Sequence, residues 1–253
     1  MARHWPVARR GDMPRGMINI LLTGSSRGIG AAIAAALDRP DVHVIGHGTD
    51  SGIPADFRDP AAPQSLWHSA LDQFDGRIDV LINNAGVFDA NPLARPHDDW
   101  VAEWERTMRI NLTAAAELCR LAVCHWQERK AAPDFTGGRI VNVASRAAYR
   151  GDSPAHWHYA ASKAGMVAMT KSIARGYAAE GILAFAVCPG FTMTGMADDY
   201  LSSRGGDKLL ADIPLGRVAQ PDEVATAVRF LALEAPPSMT GGVIDVNGAS
   251  YVR

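Results

Sequence analysis

The sequence predicts a three-layer α/β fold in a single domain, with a parallel sheet of about seven strands covered by helices on both faces. Three observations carry that expectation. Short, continuously apolar runs recur at 18–22, 42–45, 80–82, 140–143, 183–187 and 243–246. Continuous rather than alternating apolarity marks strands buried on both faces, the habit of parallel sheets. Between most of the runs lie stretches with helical spacing, at 31–37, 104–129, 159–179 and 222–233. No linker, internal repeat or low-complexity tract interrupts the 253 residues, a length ordinary for one large α/β domain.

Residues 1–16 stand apart. Arg3, Arg9, Arg10 and Arg15 face the single acid Asp12, and no apolar periodicity or signal-peptide core is present. They read as a flexible tail, with Met17 a plausible working start and a transit peptide the alternative; the domain spans 17–253. The first strand runs into Thr23-Gly24-Ser25-Ser26-Arg27-Gly28-Ile29-Gly30, and an Ala-rich helix follows at once. Glycines there let the backbone approach a pyrophosphate at a helix N-terminus, where free N–H groups and the dipole favour anions. The 80–82 run leads into Asn83-Asn84-Ala85-Gly86, and Ser145 follows the 140–143 run. Pro189-Gly190 follows 183–187 and opens a stretch, 190–214, rich in Gly, Ser and Asp with little periodicity. A long irregular segment between the last strands reads as a substrate lid.

Tyr159 and Lys163 are four residues apart in a helical stretch and so share one face. An ammonium beside a phenol favours the phenolate, which predicts a Tyr159 pKa lowered toward the working range of a general acid–base group. Other chemistries find less support. Ser145 has no G-x-S-x-G elbow and no acid placed to orient His156 or His158, which disfavours a hydrolase. The eight histidines and three cysteines show no ligand spacing, so no metal is expected. A net charge of −2 gives no reason to expect nucleic acid, and no apolar run approaches a membrane span. The three cysteines form no framework, which suits the cytoplasm.

Taken together, T-G-x-x-x-G-I-G at 23–30, Asn83-Asn84-Ala85-Gly86, Asn111, Ser145, Tyr159-Ala160-Ala161-Ser162-Lys163 and Pro189-Gly190 resemble the short-chain dehydrogenase/reductase family, from about residue 18 to the C-terminus. The resemblance implies a Rossmann fold and hydride transfer between a nicotinamide and a carbonyl or secondary alcohol carbon. It makes Tyr159 the proton donor or acceptor, Lys163 its tuner and a ribose ligand, Ser145 a donor to the substrate oxygen, and Asn111 the holder of a water linked to Lys163. Cofactor contacts are implied at Gly24, Ser26, Arg27, Gly28, Ile29, Gly30, His47, Asp56 and Phe57, with Asp56 reading the adenine amino group. Asn83, Ala85 and Gly86 would wall the ribose, and Pro189, Gly190, Thr192 and Thr194 would grip the carboxamide.

Three departures from the family pattern stand out. The 46–55 segment is too short for the usual helix between strands two and three. Phe185 stands where the family commonly has Asn, and fourteen residues separate Ser145 from Tyr159, about one more than usual. NADP(H) is favoured over NAD(H), because the second strand ends Ile45-Gly46-His47-Gly48-Thr49 without an acid, and Arg27 offers a guanidinium to a 2′-phosphate. His47 and Thr49 would add donors.

The texture is nearest to 3-oxoacyl-carrier-protein reductases, through 214–217, 221–225 and 246–248. Glu180, however, stands where a carrier protein would meet a basic residue. Sugar, polyol or steroid alcohol dehydrogenases of the same family are the alternative, and a non-catalytic NADP-sensing regulator the alternative of another class. A small-molecule substrate and a homo-oligomer, tetramer or dimer, complete the expectation.

Overall fold

The computed structural model describes residues 16–194 and 210–253. Residues 1–15 of the expected tail 1–16, and 195–209 of the expected lid 190–214, lie outside the described residues. Among the described residues seven strands form one sheet, every pairing parallel: β1 (Ile18–Thr23), β2 (Val42–Gly48), β3 (Ile53–Pro54), β4 (Val80–Asn83), β5 (Gly138–Val143), β6 (Ile182–Pro189) and β7 (Val243–Val246). Their order is β3-β2-β1-β4-β5-β6-β7. The order reverses at β1, which lies between β2 and β4, and such a switch point opens a crevice at the carboxyl ends of the strands.

Alternation along the strands sends successive side chains to opposite faces. Leu21, Leu81, Ile140 and Ala184 meet α2 (Ala62–Gln73), α4 (Ala114–Arg129) and α6 (Trp157–Tyr177) on one face. Ile20, Leu22, Val80, Val141 and Val187 meet α1 (Gly28–Ala36) and α7 (Pro221–Leu233) on the other. Trp126 anchors the first face: its indole N–H donates to the Ile78 carbonyl at 2.7 Å. A Cβ at Gly138 would fall 2.1 Å from that ring. Phe185, fully buried on the second face, fills with apolar volume the place where Asn was expected.

The helical stretch expected over 104–129 is broken. α3 (His97–Met108) begins earlier, behind Pro96 and with Asp98 and Asp99 in its first turn, where acids suit the helix dipole. A π-helical turn, Arg109–Thr113, then separates α3 from α4. No helix joins β2 to β3. Residues 49–52 make the connection, closing on Gly52 at φ +65°, where a Cβ would lie 2.1 Å from the Gly46 carbonyl oxygen. A short helix, α5 (Ala147–Arg150), follows β5.

Candidate active site

The glycine-rich turn joins β1 to α1 at the switch point. Gly30 lies against the turn itself: a Cβ there would fall 1.8 Å from the Gly24 carbonyl oxygen and 2.6 Å from Asn84 Nδ2. Thr23 and Asn84 lock the turn to the end of β4. The Asn84 and Ala85 N–H groups donate to Thr23 Oγ1 at 3.0 and 3.1 Å, and Asn84 Nδ2 donates to the Gly24 carbonyl at 2.9 Å. Arg27, the residue before α1, supplies no side-chain cap, and the first turn carries no acid. The N-terminus of α1 therefore presents N–H groups that no side chain caps, the condition a pyrophosphate needs. Ser26 and Arg27 are exposed, and the Arg27 guanidinium has no ion-pair partner among the described residues. Thr194 packs over the turn, its Cγ2 3.0 Å from where a Gly28 Cβ would stand. Thr192 Oγ1 donates to the Gly190 carbonyl at 3.2 Å.

His47 is a correction. It is buried, and both ring nitrogens are engaged: Nδ1 accepts from the Gly24 N–H at 3.2 Å, and Nε2 lies 2.9 Å from the Ala55 carbonyl. That pairing puts the proton on Nε2 and leaves no donor for a 2′-phosphate. Desolvation pushes the imidazole pKa down, so the ring stays neutral as a brace between the turn and β3. Phe57, expected at the cofactor, stacks its buried ring on His47 with centroids 4.5 Å apart. Asp56 is held by Arg58 through both its side chain and its backbone N–H, which keeps the carboxyl below the usual range.

The expected catalytic residues converge at the ends of β4, β5 and β6. Ser145, buried, follows β5, and its Oγ accepts from the Ala147 N–H at 3.1 Å. Tyr159 lies in the first turn of α6 with Ser145 as hydrogen-bonding neighbour. Lys163 is buried one turn on, its Nζ donating to the Val143 carbonyl at 2.9 Å. A Cβ at Gly86 would lie 3.3 Å from Asn111 Oδ1 and 3.5 Å from Lys163 Nζ, so Gly86 leaves both groups in one space.

Two expectations change here. The Tyr159 pKa is not lowered. Burial pushes it up to about 12, with the Ser145 hydrogen bond pulling the other way, and burial pushes Lys163 down to about 8. Spacing predicted the neighbours correctly, Lys163 Nζ lying 5.9 Å from the Tyr159 ring centroid, but desolvation penalises both charged forms. The Asn111 side chain, expected to hold a water, is engaged by the backbone of Val87, accepting from its N–H at 2.8 Å and donating to its carbonyl at 2.9 Å. That double bond occupies the residue at the centre of the π-helical turn.

The sequence points to 150–154 and Trp157 as an unusual substrate wall, but not to Phe88 and His156, which pack beside Tyr159. Phe88 meets the tyrosine edge-on at 4.7 Å and stacks on His156 at 4.1 Å. Their place, two residues past Asn84-Ala85-Gly86 and three before the tyrosine, was the available signal. Arg146, beside Ser145, was missed as well.

A family model described as Enoyl-(Acyl carrier protein) reductase matches residues 24–249. The chain belongs to the short-chain dehydrogenase/reductase family. As a member of this family it is an oxidoreductase acting on CH–OH or C=O groups with NAD(P). The 3-oxoacyl-[acyl-carrier-protein] reductases of Vibrio cholerae and Escherichia coli are each 34% identical over 247 residues, 92% of this chain and 96% of theirs. Among solved short-chain dehydrogenase/reductase structures, a putative gluconate dehydrogenase from Agrobacterium tumefaciens superposes with a TM-score of 0.82. It is 26% identical, covering 94% of this chain and 98% of that one. A putative NAD(P)-dependent gluconate 5-dehydrogenase from Beutenbergia cavernae, determined with bound NADP, gives 0.81 at 27% identity, over 93% and 97%. Among the described residues no helix is long and apolar enough to cross a membrane, and no cluster of His, Cys, Asp or Glu is arranged to hold a metal.

Proposed function

We propose that the chain is an NADP(H)-dependent ketoreductase, working in the direction of carbonyl reduction. The observation that supports it is Tyr159 one helical turn from the buried Lys163, whose Nζ lies 5.9 Å from the tyrosine ring centroid, together with the uncapped N-terminus of α1. Burial raises the phenol pKa, so Tyr159 keeps its proton at neutral pH and can donate it. The alkoxide formed by reduction is a far stronger base than phenolate, so Tyr159 protonates it readily. Ser145 donates to the same oxygen as charge develops there. Lys163, buried beside the pair, stabilises the phenolate left behind. The bound nicotinamide supplies the hydride.

The N–H groups of Gly28, Ile29 and Gly30 would hold the dinucleotide phosphates, and Arg27 would take the 2′-phosphate, for which an exposed guanidinium is suited. Asp56, Asn83, Ala85 and Gly86 would meet the dinucleotide's adenosine half, and Pro189, Gly190, Thr192 and Thr194 would hold the carboxamide. The enzyme acts in the cytoplasm as a homo-oligomer, its tail 1–16 dispensable for folding. NADPH oxidation with a panel of ketones, including a 3-oxoacyl thioester, tests the reading. Turnover with NADPH is expected to exceed that with NADH. No turnover on any carbonyl, or a Tyr159→Phe enzyme retaining more than half of the wild-type rate, overturns it.

A further inference from the structure

Arg146 follows Ser145 directly and precedes α5. Its backbone N–H donates to the Pro189 carbonyl at 2.9 Å, which fixes it between the segments leaving β5 and β6. The residue is only 9% exposed, yet among the described residues its guanidinium makes no hydrogen bond. Nη1 is closed off from solvent without a partner. Among the described residues its ion-pair partner is Asp212, at 3.7 Å, and its Cζ lies over the Phe191 ring, 5.6 Å from the centroid. Asp212 is already taken: Arg150 Nη1 donates to the same Oδ2 at 2.5 Å. Two guanidiniums thus share one carboxylate, and the more buried of the two has the poorer contact. Desolvation, helped by the charge of Arg150, pushes the Arg146 pKa down.

A buried charge lacking hydrogen bonds is expensive, and the usual place for such an expense is a functional site. The guanidinium fork matches one ligand chemistry above others, a carboxylate bound through two parallel hydrogen bonds. We propose that Arg146 binds a carboxylate borne by the carbonyl substrate, so that the substrates are oxo acids, and hydroxy acids in reverse, rather than neutral ketones or thioesters. The proposal rests on the ketoreductase reading and assigns the substrate class of that same site.

The test compares acetoacetate and levulinate with their methyl esters, using NADPH and the full-length enzyme, in wild type, Arg146→Met and Arg146→Lys. The wild type is expected to favour each acid over its ester by at least about tenfold in kcat/KM, the order of one charge-assisted contact. Arg146→Met is expected to erase that preference through KM while leaving ester turnover within about threefold, and Arg146→Lys to restore part of it. Arg146→Met is also expected to melt no lower than wild type, because a buried charge without a good partner has been removed; a purely structural arginine would lower the Tm. A wild type that favours esters, or a Met variant that loses acid and ester alike, overturns the carboxylate site and leaves the ketoreductase reading standing. Should none of the four compounds turn over, equilibrium dialysis of levulinate against the NADP⁺ complex decides. Retention that Arg146→Met abolishes upholds the site while the reaction reading fails; equal retention, or none, overturns the site.

Discussion

At the β2–β3 end of the crevice the polar side chains are satisfied within the chain. His47 holds two backbone groups, and Asp56 is wrapped by Arg58. At the β5–β6 end Lys163 and Arg146 are buried, Tyr159 is half-buried, and all three are under-served. Lys163 has one carbonyl, Tyr159 is pushed up to about 12, and Arg146 Nη1 has no hydrogen bond. The first region is braced before any ligand arrives, and substitutions there act through shape. The second carries unfavourable electrostatics that only reaction partners relieve, so substitutions there trade activity against stability.

The largest expected effect lies in the braced region. Gly30→Ala places a methyl group 1.8 Å from the Gly24 carbonyl oxygen, so the turn must open. Fluorescence titration is expected to show no NADPH binding up to millimolar concentration; affinity within tenfold of wild type breaks the claim that shape governs this end. Next, Tyr159→Phe is expected to lower kcat by about 10²–10⁴-fold with NADPH affinity unchanged, the range for a lost general acid. Stopped-flow and titration separate the two.

The strained end is sharpened by Lys163→Met. Because the folded-state pKa of Lys163 falls to about 8, the unfolded chain binds the extra proton between about pH 8 and the ordinary lysine value, and wild-type stability rises with pH across that window. The Met variant should therefore melt above wild type at pH 7, by roughly 1–3 kcal/mol in stability, with the gap closing toward pH 10. Melting curves that run parallel across this range refute it. Arg27→Ala, in an exposed position, is expected to shift the NADPH-to-NADH ratio of kcat/KM by about tenfold without changing Tm. An unchanged ratio shows that Arg27 does not meet the 2′-phosphate. Deletion of residues 1–16 is expected to change neither Tm nor kcat; a fall in either ties the tail to the domain.

The sheet was legible because a strand covered on both faces is built mainly of apolar residues, as β6, buried along its whole length, shows. The glycine turn and the Tyr159–Lys163 pair were legible because each is a short-range geometric requirement. The π-helical turn at 109–113 was not, since one inserted residue barely disturbs an apolar periodicity that continues on either side. His47 looked like a donor because tautomer and bonding are set by Gly24 and Ala55, one of them 23 positions away. The direction of the Tyr159 shift depended on burial contributed by several elements, and spacing along one helix carries no record of that. Arg146 was invisible for the same reason, a charged residue in a loop whose burial depends on Phe191 and Asp212.

The two rims of the sheet differ in a way that bears on solubility. One rim is β3, two residues long and ending in Pro54, which has no N–H to offer a further strand. The other is β7, four half-buried residues with three aliphatic side chains. A further strand finds no donor at Pro54, and at β7 it would have to displace Arg253, whose guanidinium donates to the Val243 carbonyl at 2.7 Å and pairs with Asp245.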